Sequence, residues 1–254
     1  MSAPFFMVAP NGARLGKADH TAVPLSLDEI AQTAQACHHA GVEALHLHIR
    51  DDDGVHSLDP GRYREALAHL AAEVPTMAVQ ITTEAAGRFS VADQLACLSD
   101  LRPPWASVSV REMSRDVALA ARLYAVARDA GTRIQHILYD TDDALLLQSW
   151  QSDGTVQPGQ EDVLLVLGRY SLDLPSDPRT VGSFRNALVR GTPWMLCAFG
   201  ATEHICLREA ARLGGNLRVG FENSTTSSTG QDWSDNAASV AALVTALETN
   251  RGVV

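Results

Sequence analysis

No stretch of this 254-residue chain approaches the roughly 18 to 20 consecutive apolar residues of a membrane-spanning helix. The opening segment, MSAPFFMVAPNG, lacks a basic region, and its apolar run is too short for a secretory signal. Cysteine is scarce and scattered: Cys37, Cys97, Cys197 and Cys206 never fall in C-x-x-C spacing, which argues for reduced, buried thiols in a reducing compartment. Positive charge is in deficit, with 20 Lys and Arg against 30 Asp and Glu and a formal net charge of −10. That balance leaves no basic face for non-specific binding to nucleic acid or to an anionic membrane. A small anionic ligand is still compatible, because a few arginines converging on a pocket set the local sign. No low-complexity segment or linker interrupts the chain. These absences predict a soluble, cytoplasmic protein of one domain whose partners are small molecules.

What the chain does contain is an architectural rhythm. Eight short β-rich runs recur: FFMVAP, ALHLHI, TMAVQIT, WASVSV, RIQHILY, DVLLVLG, PWMLCAF and NLRVGFE. A helical pattern follows each. Ser26 opens S-L-D-E, a capping box in which Glu29 reaches back to the helix end. Asp59–Pro60 and Asp177–Pro178 each pair an N-cap with proline at the first helical position. Gly41, Pro75, Pro103, Gly131, Gly191 and Gly214 fall where the apolar period stops. Eight strand–helix units of about 30 residues match the size and closing number of a (β/α)8 barrel. A doubly wound open sheet is the alternative, but no G-x-G-x-x-G follows the first strand. The predicted fold is α/β, a single (β/α)8 TIM barrel over residues 1–254.

In such a barrel the chemistry sits where the strands end. His46 and His48 lie near the end of the second strand, and period-two alternation points both to one face, with Leu45, Leu47 and Ile49 on the other. Two imidazoles on one strand face can share a metal ion, although H-x-H alone is weak. The eighth strand ends with Glu222, and barrel closure sets it two strand spacings from the histidines, roughly 9.5 Å between backbones. A carboxylate reaching inward spans that gap and completes a site with an open position, able to polarise a carbonyl. The alternative for Glu222 is a salt bridge at the barrel mouth to Arg50 or Arg218.

The segments APNGAR, PLSLDEIAQTAQACHHAGVEALHLHIRDDDG, VQITTEAAG, VLGRY and LGGNLRVGFENS resemble the β-keto acid cleavage enzymes from about residue 8 onward. The H-x-H-x-R-D and L-G-G-x-x-R-V-G motifs carry the resemblance. It implies a (β/α)8 barrel, a homo-oligomer, and a divalent metal, usually zinc, on His46, His48 and Glu222. The implied reaction converts a β-keto acid and acetyl-CoA to acetoacetate and a new CoA ester. Arg218 matches the arginine of the family's catalytic dyad. Thr82, Thr83 and Ser109 stand where the family's hydroxyls contact the substrate carboxylate, or else simply complete strand ends.

The sequence departs from that pattern in three places. Where the family has an aspartate that works with the arginine to take the substrate proton, this chain has Asn223, whose amide cannot act as a base near neutral pH. On the fifth strand Gln135 and Ile137 replace two glutamates, which disfavours a cationic substrate tail and leaves Gln135 as a candidate contact to the tail. His136 alternates away from Gln135, toward the helices, and Tyr139 lies nearby. After the sixth strand, VLGRYSLDLPSDP lacks a long glycine-rich loop; Arg169 and Tyr170 are candidate contacts to CoA, or ordinary loop residues. Two other readings stay open. One is a metal-dependent hydrolase on the same fold, which normally opens with H-x-H on strand one and adds histidines on strands five and six. The other is a binding protein that kept the metal pocket and lost turnover at Asn223.

Overall fold

The computed structural model describes residues 3–168 and 175–251. All eight β-rich runs form strands: β1 (Phe6–Val8), β2 (Ala44–Leu47), β3 (Ala78–Thr82), β4 (Trp105–Ser109), β5 (Arg133–Leu138), β6 (Asp162–Leu167), β7 (Trp194–Ala198) and β8 (Asn216–Val219). They pair in chain order, all parallel, and β8 pairs with β1 to close the barrel. This is the (β/α)8 fold, and the open-sheet alternative is excluded. The surrounding helices are α1 (Leu27–His39), α2 (Pro60–Glu73), α3 (Val91–Leu101), α4 (Val117–Ala130), α5 (Thr141–Asp153), α6 (Val181–Asn186), α7 (Glu203–Arg212) and α8 (Asn236–Arg251). No helix among the described residues is long and apolar enough to cross a membrane.

The helix signals act as their chemistry dictates, with two exceptions. Ser26 Oγ accepts the Glu29 N–H at 3.2 Å while the Glu29 carboxylate accepts the Ser26 N–H at 3.1 Å, so the capping box is complete. Asp59 caps α2 by accepting the Arg62 N–H at 2.8 Å. Asp177, by contrast, caps only the 3-10 turn Pro178–Thr180, and α6 begins after it at Val181. Gly191 lies beyond the end of α6, in the turn entering β7, and does not terminate a helix.

Period-two alternation divides each strand between two interiors. Outward residues such as Val8, Leu45, Leu47, Ile81, Val108, Leu165 and Val219 join the apolar layer beneath the helices. Met7, Ala44, Trp105, Ile137, Leu164, Val166, Met195 and Cys197 form a second apolar cluster. His136 belongs to the outer layer, as its alternation with Gln135 requires: its Nε2 meets the Gln160 carbonyl at 2.9 Å, and its ring packs on Tyr124. All four cysteines are buried and free.

Burial pushes the His136 pKa from 6.5 down to about 4. As pH falls the unfolded chain protonates this imidazole first, so stability present above pH 6.5 is lost on the way to pH 4. Between pH 7 and pH 4.5 this group costs the fold about 2 kcal/mol. In urea denaturation the loss across that range is expected to be shallower by that amount in His136→Gln than in wild type; equal losses would contradict a neutral buried His136.

Candidate metal centre

β2 ends at Leu47, one residue before His48, and the chain turns into a small antiparallel ribbon of Ile49–Arg50 with His56–Ser57. Asn11, from the loop after β1, donates its Nδ2 to the His48 carbonyl at 3.2 Å and to Pro24 at 3.0 Å, fixing the backbone there. His46 and His48 are buried, with their Nε2 atoms 3.1 Å apart.

Glu222 is not on the eighth strand but in the turn just after it, since β8 stops at Val219. Gly220 makes that turn possible: its φ is +140°, and a Cβ there would stand 2.5 Å from the Ala9 carbonyl oxygen. Three hydrogen bonds hold the turn, Glu222 N–H to Ala9 O at 3.0 Å, Phe221 N–H to Asn236 Oδ1 at 2.9 Å and Gly220 N–H to Glu203 Oε1 at 3.1 Å. β1 lies between β8 and β2, its Val8 opposite both Val219 and Leu45. This register carries Glu222 Oε2 to 3.4 Å from His48 Nε2 and 3.7 Å from His46 Nε2.

The charge states follow from the surroundings. Burial, then the Arg218 guanidinium, hold the His46 pKa well below the usual imidazole value, so His46 is neutral and its contact with Glu222 is not an ion pair. Burial alone would raise Glu222, but Arg218 leads the opposing charges that outweigh it, and the carboxylate is held far below its usual range. Glu222 Oε1 accepts from Arg218 Nη2 at 3.1 Å, while Oε2 accepts no hydrogen bond from a described residue and faces the two imidazoles. The salt-bridge alternative and the ligand reading thus use different oxygens of one carboxylate. Arg50 takes no part; it donates to the carbonyls of Gly12 and Leu15. Asp51 shapes the ribbon turn by accepting from the Asp53 and Val55 N–H groups.

His46 Nδ1 is 2.7 Å from Gln80 Oε1, which places the ring proton on Nδ1 and leaves Nε2 as a lone pair. Gln80 in turn donates to Gln135 Oε1 at 3.1 Å, and Gln135 to Met195 Sδ at 3.8 Å. The ligand atoms of His46, His48 and Glu222 lie within 4.8 Å of one another. Two imidazoles, one ionised carboxylate and an oriented ring nitrogen form a donor set that fits a divalent cation.

His46 and Glu222 open onto a cavity of about 330 Å³ at the C-terminal mouth of the barrel. Thr82, Ser109 and Arg218 line it as the sequence suggests, as do Ile137 and Tyr139. Four candidates do not, His48 being one of them. Thr83 turns aside to donate to the Ser107 carbonyl at 2.9 Å. Gln135 sits deeper in the barrel, beneath Gln80, and it is Ile137, two residues further along β5, that reaches the cavity. Asn223 is buried, with neither amide atom bonded to a described residue, and it does not line the cavity; its carbonyl accepts the Gly200 N–H at 3.0 Å. Arg169 and Tyr170 lie outside the described residues. Reading the sequence missed Gln80, Glu84, Glu112 and Arg14. Gln80 was within reach, because alternation back from Thr82 puts it on the same face of β3.

A family model for beta-keto acid cleavage enzymes matches residues 5–254. The 3-oxoadipate:acetyl-CoA acetyltransferase of Cupriavidus necator is 26% identical over 230 residues, covering 85% of this chain and 78% of that protein. The 3-keto-5-aminohexanoate cleavage enzyme of Fusobacterium nucleatum is 23% identical over 222 residues, covering 84% and 79%. Among solved structures, ObcA in binary complex with oxaloacetate superposes with a TM-score of 0.63 at 16% identity, over 91% of this chain and 64% of that one. Type I 3-dehydroquinate dehydratase from Clostridium difficile gives 0.67 at 10% identity, over 100% and 94%. At these identities the structural likeness is one of fold.

Gln80→Leu removes the acceptor that orients His46 without touching a ligand atom. Zinc affinity, measured by competition with a chromogenic chelator, is expected to fall about 10- to 100-fold; an unchanged affinity would contradict this role for Gln80.

Proposed function

Because this chain belongs to the beta-keto acid cleavage enzyme family, we propose that it is a zinc-dependent acyltransferase converting a β-keto acid and acetyl-CoA to acetoacetate and a new acyl-CoA. The observation that carries the reading is the meeting of His46, His48 and Glu222, two of which, His46 and Glu222, line the cavity. A zinc ion on those residues supplies electrophilic polarisation of the substrate's keto group. Acetyl-CoA is the proposed co-substrate on the strength of the named activity of the Cupriavidus relative.

The chain's own residues divide the remaining work. Arg218, steadied by Cys197 Sγ at 3.3 Å and Glu222, brings positive charge to the place where the substrate develops negative charge. Thr82 Oγ1 accepts the Glu84 N–H at 3.0 Å, and Ser109 Oγ accepts the Glu112 N–H at 3.4 Å. With those acceptor positions used, both hydroxyl protons are free to donate to a substrate carboxylate. Ile137, Val166 and Phe199 make one apolar wall, which favours a neutral tail over a cationic one.

The hydrolase alternative calls for further histidines on strands five and six. His136 on β5 faces the helices instead, and the three-residue donor group among the described residues contains no other histidine.

The test is a panel of β-keto acids with neutral, anionic and cationic tails, each supplied with acetyl-CoA and followed for acetoacetate and CoA-ester formation. A neutral tail is expected to exceed the cationic 3-keto-5-aminohexanoate by about 10-fold or more in kcat/KM. No acyl transfer with any member of the panel would favour the binding role, and preference for the cationic tail would overturn the specificity.

A further inference from the structure

The proposed reaction begins with loss of a proton from the carbon between the keto and carboxylate groups, and Asn223 cannot accept it. We propose that Glu84 is the general base that takes this proton, an inference that rests on the acyl-transfer reading above.

Glu84 stands two residues past the end of β3, at the mouth of the barrel, and lines the same cavity as His46, Arg218 and Glu222. Its backbone is fixed on both sides. The Glu84 N–H donates to Thr82 Oγ1 at 3.0 Å, and its carbonyl accepts from His56 Nε2 at 2.9 Å. The His56 ring packs on His48, with centroids 5.1 Å apart, so Glu84 is tied to the metal ligands through a single imidazole. Beyond it, Ala86 at φ +47° and Gly87 at φ +75° turn the chain in left-handed geometry. For alanine this costs about 1 kcal/mol, a strain that persists where the surroundings over-determine the backbone.

The other cavity groups are committed or unsuited. Glu222 is bonded to Arg218 and faces the imidazoles. The Glu112 carboxylate accepts the Ala85 N–H at 3.0 Å and Gln94 Nε2 at 2.7 Å, which fixes it as a support for the Glu84 turn. Tyr139 is held protonated, with burial the leading cause. No described residue donates a hydrogen bond to the Glu84 carboxylate or pairs with it, although it borders the cavity. Burial raises its pKa above the ordinary carboxylate value.

In the step assigned to Glu84 the substrate C–H bond breaks and an O–H bond forms on the carboxylate. The C–H electron pair delocalises into the keto group, giving an enolate whose charge faces Arg218. No oxidant or further reactant is consumed.

The experiment uses zinc-loaded full-length protein and acetoacetate in D2O without acetyl-CoA, with exchange of the C2 methylene protons followed by NMR against the buffer rate. Wild type is expected to accelerate exchange. Glu84→Gln is expected to lower the enzymatic rate at least about 100-fold, while zinc content stays the same and acetoacetate affinity by calorimetry stays within about 3-fold. Glu84→Asp, which keeps the carboxylate but withdraws it, is expected to lose about 10-fold and guards against a misfolded Gln variant. Exchange at the wild-type rate in Glu84→Gln, or a loss in Glu84→Asp as large as in Glu84→Gln, overturns the assignment while leaving the acyl-transfer reading intact. Loss of zinc from Glu84→Gln also overturns it, by making Glu84 a ligand. Absence of exchange in zinc-loaded wild type overturns the acyl-transfer reading and the role of Glu84 with it.

Discussion

Two buried imidazole nitrogens 3.1 Å apart, both facing one carboxylate oxygen, form the cluster on which the proposed function depends. His46 Nε2 lies against His48 Nε2, Glu222 is ionised, and Glu222 Oε2 finds no hydrogen-bond donor among the described residues. A buried acceptor without a donor costs about 1–3 kcal/mol, and more when charged. A divalent ion on the three proposed ligands would offset that cost. The neighbouring features serve that arrangement. Gly220 lets the turn after β8 graze β1, Asn236 and Glu203 fix that turn, and Arg218 neutralises the half of Glu222 that the histidines do not face.

The placement of these groups depends on barrel closure. His46 and Glu222 are far apart in sequence and meet only because β8 pairs with β1 and β1 with β2. The apolar layer under the helices provides the driving force for that closure, with each fully buried aliphatic side chain contributing about 1.5–3 kcal/mol. Inside the barrel the balance differs. Gln80 and Gln135 form a hydrogen-bonded line beneath His46, and each amide has a partner, so polar groups can occupy a space that is otherwise apolar.

Much of this was legible in the sequence because the rules involved are local. Alternation placed His46 inward and His136 outward, and the capping box at Ser26 and the proline after Asp59 marked helix starts. Parallel order and closure then made Glu222 a neighbour of the histidines. Depth along the barrel axis was not legible. Strands in a barrel are staggered, so Gln135 and Ile137 share a face but sit at different heights, and the structure gives the cavity to Ile137. Asn223 was misplaced for a related reason. Once β8 ends and the backbone turns at Gly220, strand alternation no longer predicts direction, and Asn223 is buried without lining the cavity its neighbour faces. Glu84 carried a usable signal, an acidic residue just past a strand end on the catalytic side of the barrel.

The claim on which the account depends is that His46, His48 and Glu222 hold one divalent ion. Anomalous diffraction at the zinc edge, from crystals grown with stoichiometric zinc, tests it most directly. The account predicts a single peak about 2.0–2.2 Å from His46 Nε2, His48 Nε2 and a Glu222 oxygen. A fully occupied zinc bound elsewhere, or no peak between these three residues, would contradict it.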